Sequence, residues 1–394
     1  MKCNQWTLVL LGTGLVSLPS LATAEEQPSS VLTALSATTI SGYVGTSMEW
    51  NPGTGNQNLP TYTPNGAASG KKADGFNLDV VSLTISKPPG EGEWAAGYNA
   101  TLLFGPDAVG FNNSFGTMPG DFSLMDTYVE LRAPVGNGLD FKLGTFASVL
   151  GYEVYQTGNN PNFTRSYGYE IEPTQLTGLL AAYQFSPTVS ASAGIANTWS
   201  ASINNRAFAP AGTKAESYKA YLGSLTLTAP ESLGFLAGST LSGGVVNGYS
   251  SLVGSAGAVE TSFYAGGTFK TPLKCLSVGV AYDYAALGAN QVNGVPHDSA
   301  FQNATAIYLL WQATEKLSFN TRADYFSQSA YLATSGLPGA AFALTQTVQY
   351  DLWKNVLARA EFRWDHATNG SDPWGSGPSL DNEFVVALNI IYKF

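Results

Sequence analysis

Ionised side chains are scarce in this sequence of 394 residues, since Asp, Glu, Lys and Arg make up only 12% of it. A typical soluble domain carries about 25%. The apolar fraction is an ordinary 44%, so Gly, Ser, Thr, Asn and aromatic residues replace the missing charge. A soluble protein normally shows more charge on its surface. The composition therefore argues against the alternative of a secreted soluble β protein whose apolar faces form a packed core.

Histidine and cysteine are nearly absent, with two of each. Cys3 lies in the leader described below, and Cys275 alone is too little for a disulfide framework. The same counts make a His/Cys metal cluster an unfavoured interpretation. Neither His297 nor His366 lies beside a Ser-centred motif that could supply a nucleophile. We therefore expect no enzyme activity, no cofactor and no metal site.

Long apolar runs are also missing beyond the first residues, which excludes an ordinary transmembrane helix in the mature chain. Residues 1–24 combine Lys2, the apolar stretch WTLVLLGTGLV and a small-x-small site ending at Ala24, which predicts a secretory signal peptide. An uncleaved anchor is the alternative, but Pro19 and glycines interrupt the run. Only one basic residue leaves with the leader, so the mature chain stays acidic like the whole sequence, whose net charge is −10. This acidity argues against nucleic acid as a partner.

What the sequence does contain is an alternation of period two. Runs of about 9 to 14 residues alternate large apolar residues with small or polar ones, which is typical of strands with two different faces. We predict sixteen strands, at 38–50, 76–87, 93–104, 123–133, 138–146, 174–186, 188–200, 215–229, 235–249, 258–271, 274–287, 300–313, 315–327, 341–353, 354–366 and 382–394.

The connectors between these strands alternate between seven short turns and eight longer loops. An even strand count with short turns at one rim and long loops at the other is typical of an outer-membrane barrel. We therefore predict an all-β fold, a transmembrane antiparallel up-and-down β-barrel of about 16 strands with short periplasmic turns and long extracellular loops. The chain divides into the signal peptide 1–24, a short periplasmic segment 25–37 and a single barrel domain 38–394.

Ionised residues of both signs share one face of several predicted strands. A packed core cannot hold them without a large desolvation cost, whereas the wall of a water-filled lumen can. The apolar faces opposite would then meet lipid. The candidate residues of the lumen wall are Asp126, Glu130, Arg132, Lys142, Asp324 and Glu361, together with Arg322, Arg359 and Arg363.

The central segment GYEVYQTGNNPNFTRSYGYEIEPTQLTGLLAAYQF, preceded by LDFKLGTFASVLG, resembles the OmpL-like β-barrel porin family of Gram-negative outer membranes. The resemblance extends over the mature chain in strand pattern and is most specific from Leu139 to Tyr183. It implies a porin-like fold in the outer membrane, with outer-membrane lipid around the barrel. It carries no catalytic residue and no particular solute. Sixteen-stranded porins are often trimers, so a homotrimer is one expectation.

Residues 147–173 join predicted strands five and six. In sixteen-stranded porins the loop at this place folds into the barrel and narrows it, so the resemblance implies a constriction here. An acidic loop facing a basic wall would create a transverse field that orients solutes and filters ions. The alternatives are structural salt bridges between loop and wall, or a loop that lies over the mouth. The candidate constriction residues are Glu153, Arg165, Glu170, Glu172, Arg322, Arg359 and Arg363.

The last ten residues, VVALNIIYKF, keep their alternation to the end of the chain. We expect this strand to close the barrel against the first strand, because an open edge in lipid leaves backbone groups without hydrogen bonds. Alternation that ends in a terminal Phe also resembles the signal read by the outer-membrane assembly machinery. The residues concerned are Val386, Leu388, Ile390, Tyr392 and Phe394.

These observations together predict a porin, a water-filled channel for the passive diffusion of small hydrophilic solutes or ions. The alternative is a closed outer-membrane barrel whose outer loops act in adhesion or as a receptor, with the lumen closed by residues 147–173. Segment 25–37 is too short for a separate plug domain, which argues against an energy-coupled receptor.

Overall fold

The computed structural model describes residues 37–53, 72, 75–109, 122–199, 203–207, 218–249, 258–292, 295–329, 338–375 and 379–394. The predicted signal peptide and the N-terminal segment up to residue 36 lie outside these residues and stay predictions. Within the described ranges, no helix combines the length and apolar character needed to cross a membrane.

Sixteen strands form a closed antiparallel barrel in which strands that follow each other in the sequence are neighbours, and the last strand pairs with the first. The barrel strands are β1 (Thr39–Trp50), β2 (Gly75–Lys87), β3 (Ala95–Phe104), β4 (Phe122–Ala133), β5 (Leu139–Ala147), β6 (Gln175–Ser186), β7 (Val189–Ala196), β8 (Ala220–Thr228), β9 (Thr240–Tyr249), β10 (Val259–Lys270), β11 (Leu276–Leu287), β14 (Ala300–Gln312), β15 (Leu317–Gln328), β16 (Ala340–Trp353), β17 (Val356–Ala367) and β18 (Asn382–Lys393). The predicted up-and-down barrel of about sixteen strands is confirmed.

Small elements lie in the connections. A hairpin of β12 (Asn290–Val292) and β13 (Val295–His297) joins β11 to β14 and is separate from the barrel sheet. The helices are α1 (Pro106–Val109) and α2 (Tyr167–Ile171), with 3-10 helical turns at Thr157–Asn159 and Glu231–Leu236. The sequence predicts only a longer loop between the strands at 274–287 and 300–313, because three-residue strands are too short to show a period of two.

Among the strands that are shorter than predicted are β7 and β9. β7 ends at Ala196 and not at residue 200, because the backbone N–H of Trp199 bonds to the carbonyl of Tyr249 (2.9 Å) instead of continuing the β7 ladder. β9 begins at Thr240 and not at residue 235, because the preceding residues form the 3-10 turn, which has a kink at Gly234 (φ 61°).

Side chains alternate between the inside and the outside of the barrel, as strand geometry requires. On β18, Ala387, Asn389 and Ile391 point inward and are at most 2% exposed, whereas Ile390 and Tyr392 point outward and are 49% exposed. An apolar outer face of this kind suits contact with lipid.

The final residue completes the closure of the barrel. Gly42 and Phe394 exchange both of their backbone hydrogen bonds, each 3.0 Å long, and the register continues to Met48 opposite Leu388. The aromatic ring of Phe394 lies over Gly42, where a Cβ would come within 2.8 Å of it. The apolar alternation therefore reaches the last residue because the last residue takes part in the seam.

Candidate functional site

The connection from β5 to β6, residues 148–174, lies inside the barrel and is called the inner loop below. Three buried clusters join it to the wall. Leu150 and Tyr152 pack among residues of β6 to β14. Tyr155 packs with residues of β1 to β4 and of β17 and β18. Tyr167 packs with residues of β14 to β17. The inner loop is thus attached on several sides of the lumen.

One side of the wall is here called the neutral sector, strands β6 to β9, because these strands contain no Asp, Glu, Lys, Arg or His. The inner loop meets it with Leu150, which is 5% exposed and belongs to the same cluster as Leu180 and Leu222. Gly244 leaves the room for this contact, since a Cβ there would lie 2.7 Å from Leu150 Cδ2. Contact here depends on shape and apolar burial.

Tyr152 extends the apolar attachment toward β10, β11 and β14. Its ring stacks on Tyr308 with 4.2 Å between ring centroids, and its hydroxyl hydrogen-bonds to Thr268 Oγ1 at 2.9 Å. A Cβ at Gly279 would collide with this hydroxyl. The tyrosine therefore occupies a place that the strand sequence leaves open.

The opposite side is here called the charged sector, strands β15 to β18, and Arg322 of β15 is its most connected residue. Its guanidinium donates to Asp324 Oδ2 (2.7 Å) and to Glu153 Oε1 (2.9 Å). It also donates to the backbone carbonyls of Thr164 (2.7 Å) and Arg165 (3.0 Å). The side chain is fully buried, and this complete set of acceptors makes the buried charge tolerable.

Glu361 of β17 binds the backbone of the inner loop. Its carboxylate accepts hydrogen bonds from the N–H groups of Phe163 (2.5 Å) and Thr164 (2.8 Å), and from Thr164 Oγ1 (2.6 Å). A further bond comes from Thr347 Oγ1 of β16 (2.6 Å). Such charge-assisted bonds are shorter and stronger than neutral ones, so Glu361 defines the position of this segment.

Arg359, on the same face of β17, holds the tip of the inner loop. It donates to the carbonyls of Thr157 (3.0 Å), Asn160 (3.3 Å) and Asn162 (3.2 Å), and to Asn389 Oδ1 of β18 (2.7 Å). Backbone carbonyls, not carboxylates, are thus the loop partners of this buried cation.

Arg363 and Asp365 complete the contacts of β17. Arg363 donates to the carbonyl of Arg165 (2.5 Å) and to both carboxylate oxygens of Asp365 (2.8 and 2.9 Å). Asp365 also accepts from the hydroxyl of Tyr167 (3.0 Å), whose ring stacks on Phe326 at 5.1 Å. The start of α2 is therefore fixed by an ion pair and by aromatic packing.

Arg165, a predicted constriction residue, is turned toward the loop itself. Its side chain donates to the carbonyls of Phe163 (2.8 Å) and Tyr155 (3.0 Å) and lies over the ring of Tyr169 at 5.5 Å. Among the described residues, no carboxylate lies within ion-pair distance of this guanidinium, which is 3% exposed. Arg165 thus stabilises the turn of the loop.

The remaining predicted loop acids, Glu170 and Glu172, lie on and after α2. Burial raises the pKa of Glu170 to about 8, although Arg165 and Arg363 act in the opposite direction. Burial and the neighbouring carboxyl of Asp283 raise the pKa of Glu172 well above its ordinary range. Asp283, on β11, was missed because a single acid in an otherwise apolar strand carries no distinctive signal.

The predicted wall residues of β4 and β5, with the exception of Asp126, lie apart from this network. These residues are Asp126, Glu130, Arg132 and Lys142. Arg132 forms a two-bond ion pair with Asp140 (2.6 and 2.7 Å) near the short-turn rim, and Glu130 is in register with Lys142. Asp126 accepts from the hydroxyl of Tyr155 (3.2 Å) and so reaches the inner loop.

The contact between Glu153 and Arg322 bears on the predicted transverse field. The two groups are 2.9 Å apart and both side chains have no exposed surface. Glu153 also accepts from the N–H of Ser166 (2.7 Å) and from the hydroxyl of Tyr308 (3.2 Å). These two side chains therefore form a direct, buried salt bridge, and the transverse field stays a prediction.

A second buried ionic cluster, absent from the predicted sites, lies near β2. Lys72 Nζ pairs with Asp79 Oδ1 (2.8 Å) and with Asp107 Oδ1 of α1 (2.7 Å). Ser47 donates to the same Asp79 oxygen (2.8 Å). Burial raises the pKa of Asp107 to about 6, against the lowering effect of Lys72. Lys72 and Asp107 lie in connections without periodicity, so no sequence pattern indicated their contact.

A closed sixteen-stranded barrel with an apolar outer face, charged inner side chains and a loop attached inside it has the architecture of an outer-membrane porin. The sequence identifies the protein family within this class. The chain belongs to the family described as "Putative beta-barrel porin-2, OmpL-like", whose model matches residues 37–394. The protein is therefore an outer-membrane porin barrel of Gram-negative type, as predicted.

Solved structures with the same fold include several outer-membrane proteins. The anion-selective porin from Comamonas acidovorans has a TM-score of 0.62 and 10% identity, over 91% of this chain and 99% of that chain. The outer membrane channel DcaP of Acinetobacter baumannii has a TM-score of 0.60 and 12% identity, over 91% and 97%. A trimer form of OmpT of Vibrio cholerae has a TM-score of 0.55 and 12% identity, over 91% and 99%. At these identities the likeness shows the fold alone. No curated protein matches the sequence.

Proposed function

We propose that the chain forms a water-filled channel through which small hydrophilic solutes or ions diffuse passively across the outer membrane. The observation that carries the proposal is the inner loop. This chain belongs to a porin family, and charged residues of its barrel wall bind the loop inside the barrel. The proposal includes no catalytic step, and diffusion needs no cofactor.

Planar-bilayer recording tests this proposal. Purified barrel whose gel mobility shifts on heating is added to a lipid bilayer, and stepwise ionic conductance is expected. The same protein after heat unfolding is the control. Liposome swelling with uncharged sugars then measures passage of solutes. Folded barrel that inserts into the bilayer and never conducts would contradict the proposal.

We further propose that the inner loop narrows this channel, and that the constriction is formed by four loop residues and three arginines of the wall, which are Glu153, Arg165, Glu170, Glu172, Arg322, Arg359 and Arg363. Arg359→Ala removes the bonds to three loop carbonyls, and Glu153→Ala removes the partner of Arg322. Both variants should change single-channel conductance. Lys142→Ala, on the opposite wall, is the matched control. Unchanged conductance and ion selectivity in both loop variants would contradict this constriction.

The second candidate function is the closed barrel with an adhesion or receptor role. The observation in its favour is that the inner loop is buried against several sides of the wall, with Phe163, Thr164 and Tyr167 showing no exposed surface. Binding of the folded barrel to host-matrix proteins or cells, without conductance, would support this function over the channel.

We also propose that the terminal strand acts as a signal for the assembly machinery. Phe394 closes the seam with Gly42, and the residue is 47% exposed on the outer face. Deletion of Phe394 should lower the yield of heat-modifiable barrel in outer membranes, with Lys393→Gln as the control. A full yield after the deletion would contradict that role.

A homotrimer is proposed for the assembled protein. It is supported by the fold shared with a protein whose solved form is described as a trimer. Light scattering of the detergent-extracted, unheated barrel should give three times the mass of one chain, and a single-chain mass would contradict it.

A further inference from the structure

A polar side chain lies in the middle of the outer face of β16. Gln346 is the seventh of the fourteen residues of this strand, and its neighbours Thr345 and Thr347 point inward and are fully buried. Side chains on a strand alternate between its two sides, so Gln346 points outward. On the same outer side it is flanked by Leu344 and Val348, which are 38% and 36% exposed. The glutamine therefore lies within the apolar row that faces the membrane.

The neighbouring strand adds a second polar group at this place. Thr321 of β15 is in register with Gln346, and its Oγ1 donates to Gln346 Oε1 at 2.6 Å. The amide nitrogen of Gln346 donates to the backbone carbonyls of Asn320 at 3.4 Å and Thr347 at 3.3 Å. Both contacts are longer than the usual range of about 2.7–3.2 Å. The nitrogen therefore retains the capacity to donate a stronger hydrogen bond to a group outside the barrel.

Polar side chains continue from this pair across the outer face of β14 and β15. Thr305, the sixth of the thirteen residues of β14, is exposed. Nearer the long-loop rim, Asn303 Nδ2 donates to Ser327 Oγ of β15 at 3.1 Å. By contrast, the outward row of β18 is apolar or aromatic from Phe384 to Tyr392. The group is called the outer polar patch below and consists of Asn303, Thr305, Thr321, Ser327 and Gln346.

The chemistry of the patch indicates what covers it. Lipid tails offer no hydrogen-bond partners, so a polar side chain in the middle of the membrane is unfavourable against them. Helices in membranes place Ser, Thr, Asn and Gln side chains where they can bond to another protein segment, and the same reasoning applies to the outer face of a barrel. An amide both donates and accepts, so it is complementary to a copy of itself. In a symmetric homo-oligomer, identical side chains meet near the rotation axis.

We propose that the outer polar patch is the face by which copies of this chain contact each other in the membrane, with Gln346 at the rotation axis. The inference rests on the homotrimer proposed above and assigns its contact face to strands β14 to β16. A carbonyl oxygen accepts two hydrogen bonds. Gln346 Oε1 thus keeps its bond from Thr321 and accepts a second bond from the amide nitrogen of the next copy. Three such bonds form a closed ring.

Photo-crosslinking in outer membranes tests this face. Benzoylphenylalanine is placed at Gln346 in one variant, and at Val129 of β4 or Leu225 of β8 in two controls. Both control residues point outward and are 49% and 47% exposed, and each strand lies six strands from β16 around the barrel. Irradiation should give covalent dimers and trimers of this chain on denaturing gels for the Gln346 variant, and single chains for both controls.

Gln346→Leu tests the amide itself. The substitution continues the apolar row, so the barrel should fold and keep its heat-modifiable mobility. Loss of one hydrogen bond between membrane segments lowers an association constant about 3- to 20-fold. Light scattering of the detergent-extracted barrel over a range of concentrations should show at least the lower end of this loss. Leu225→Val, on the far side of the barrel, should associate like the wild type.

Equal crosslinking at either control position would overturn the patch as the contact face, as would a product that mass spectrometry assigns to another protein. A mass of three chains without crosslinks at Gln346 would overturn the face and leave the homotrimer standing, whereas a single-chain mass would overturn both. Unchanged association of Gln346→Leu would also overturn the proposal. None of these readouts uses conductance, so failure of the proposed channel would be a separate result.

Discussion

The neutral sector and the charged sector of the wall hold the same loop by different physics. Strands β6 to β9 offer small and apolar side chains, against which Leu150 packs. Strands β15 to β18 offer fully buried arginines and acids whose hydrogen bonds go to particular atoms of the loop. Apolar contact is non-directional, whereas a buried charge is costly unless its partners are in place. The charged sector therefore determines the position of the loop, and the neutral sector adds stability with less specificity.

The largest expected effect in the charged sector is that of Arg322→Ala. The variant leaves Glu153 and Asp324 buried without their main cationic partner. Loss of one member of a buried pair costs about 3–5 kcal/mol. The free energy of unfolding should fall by that amount, measured by urea titration in detergent micelles.

The control for this variant is Arg132→Ala, which removes an ion pair of the same chemistry in a different place. Arg132 and Asp140 have side chains that are 41% and 22% exposed at the short-turn rim. Exposed pairs are worth about 0–1 kcal/mol. Equal losses of unfolding free energy in the two variants would show that burial does not increase the contribution of Arg322 to stability.

Leu150→Ala tests the neutral sector. Leu150 is 5% exposed within the largest buried apolar cluster that touches the loop, and such truncations cost about 2–5 kcal/mol. The unfolding free energy should fall within this range, measured by urea titration in detergent micelles. Leu225→Ala, on the outer face of β8 and 47% exposed, is the control and should change little. A loss in the control as large as that of Leu150→Ala would contradict this assignment.

The barrel could be predicted from the sequence because a period of two is a local property. The alternation alone indicated that Arg322, Arg359 and Arg363 share a face with Asp324 and Glu361, and the structure places all of them inward. The partners of these groups depend on how residues far apart in the sequence meet inside the barrel. Arg322 and Glu153 are 169 positions apart, and no local pattern records such a contact.

The apolar contacts of the inner loop are likewise not recorded in any local sequence pattern. Its acids are charged, and for that reason they predict a field across the lumen. No pattern in the sequence indicates that its apolar residues Leu150 and Tyr152 anchor the loop. Gly244 and Gly279, which make room for them, are two among 43 glycines. The meaning of a glycine inside a strand becomes visible only when its neighbour across the lumen is known.

The smallest effects are expected for the removal of a hydroxyl group, and one hydroxyl from each sector is compared. Thr347 Oγ1, fully buried in the charged sector, donates to the carboxylate of Glu361 at 2.6 Å. Ser224, only partly buried in the neutral sector, shares a hydrogen bond of 2.7 Å with Ser192.

Hydrogen bonds to charged groups contribute about 1.5–3 kcal/mol and neutral ones about 0.5–1.5 kcal/mol. Thr347→Val should therefore lower the unfolding free energy by more than Ser224→Ala does, because solvent in the lumen replaces only the second bond. Urea titrations of both variants measure the difference. If the two losses are equal, the charge on Glu361 does not strengthen its hold on the loop. The greater specificity of the charged sector would then have to come from the arginines alone.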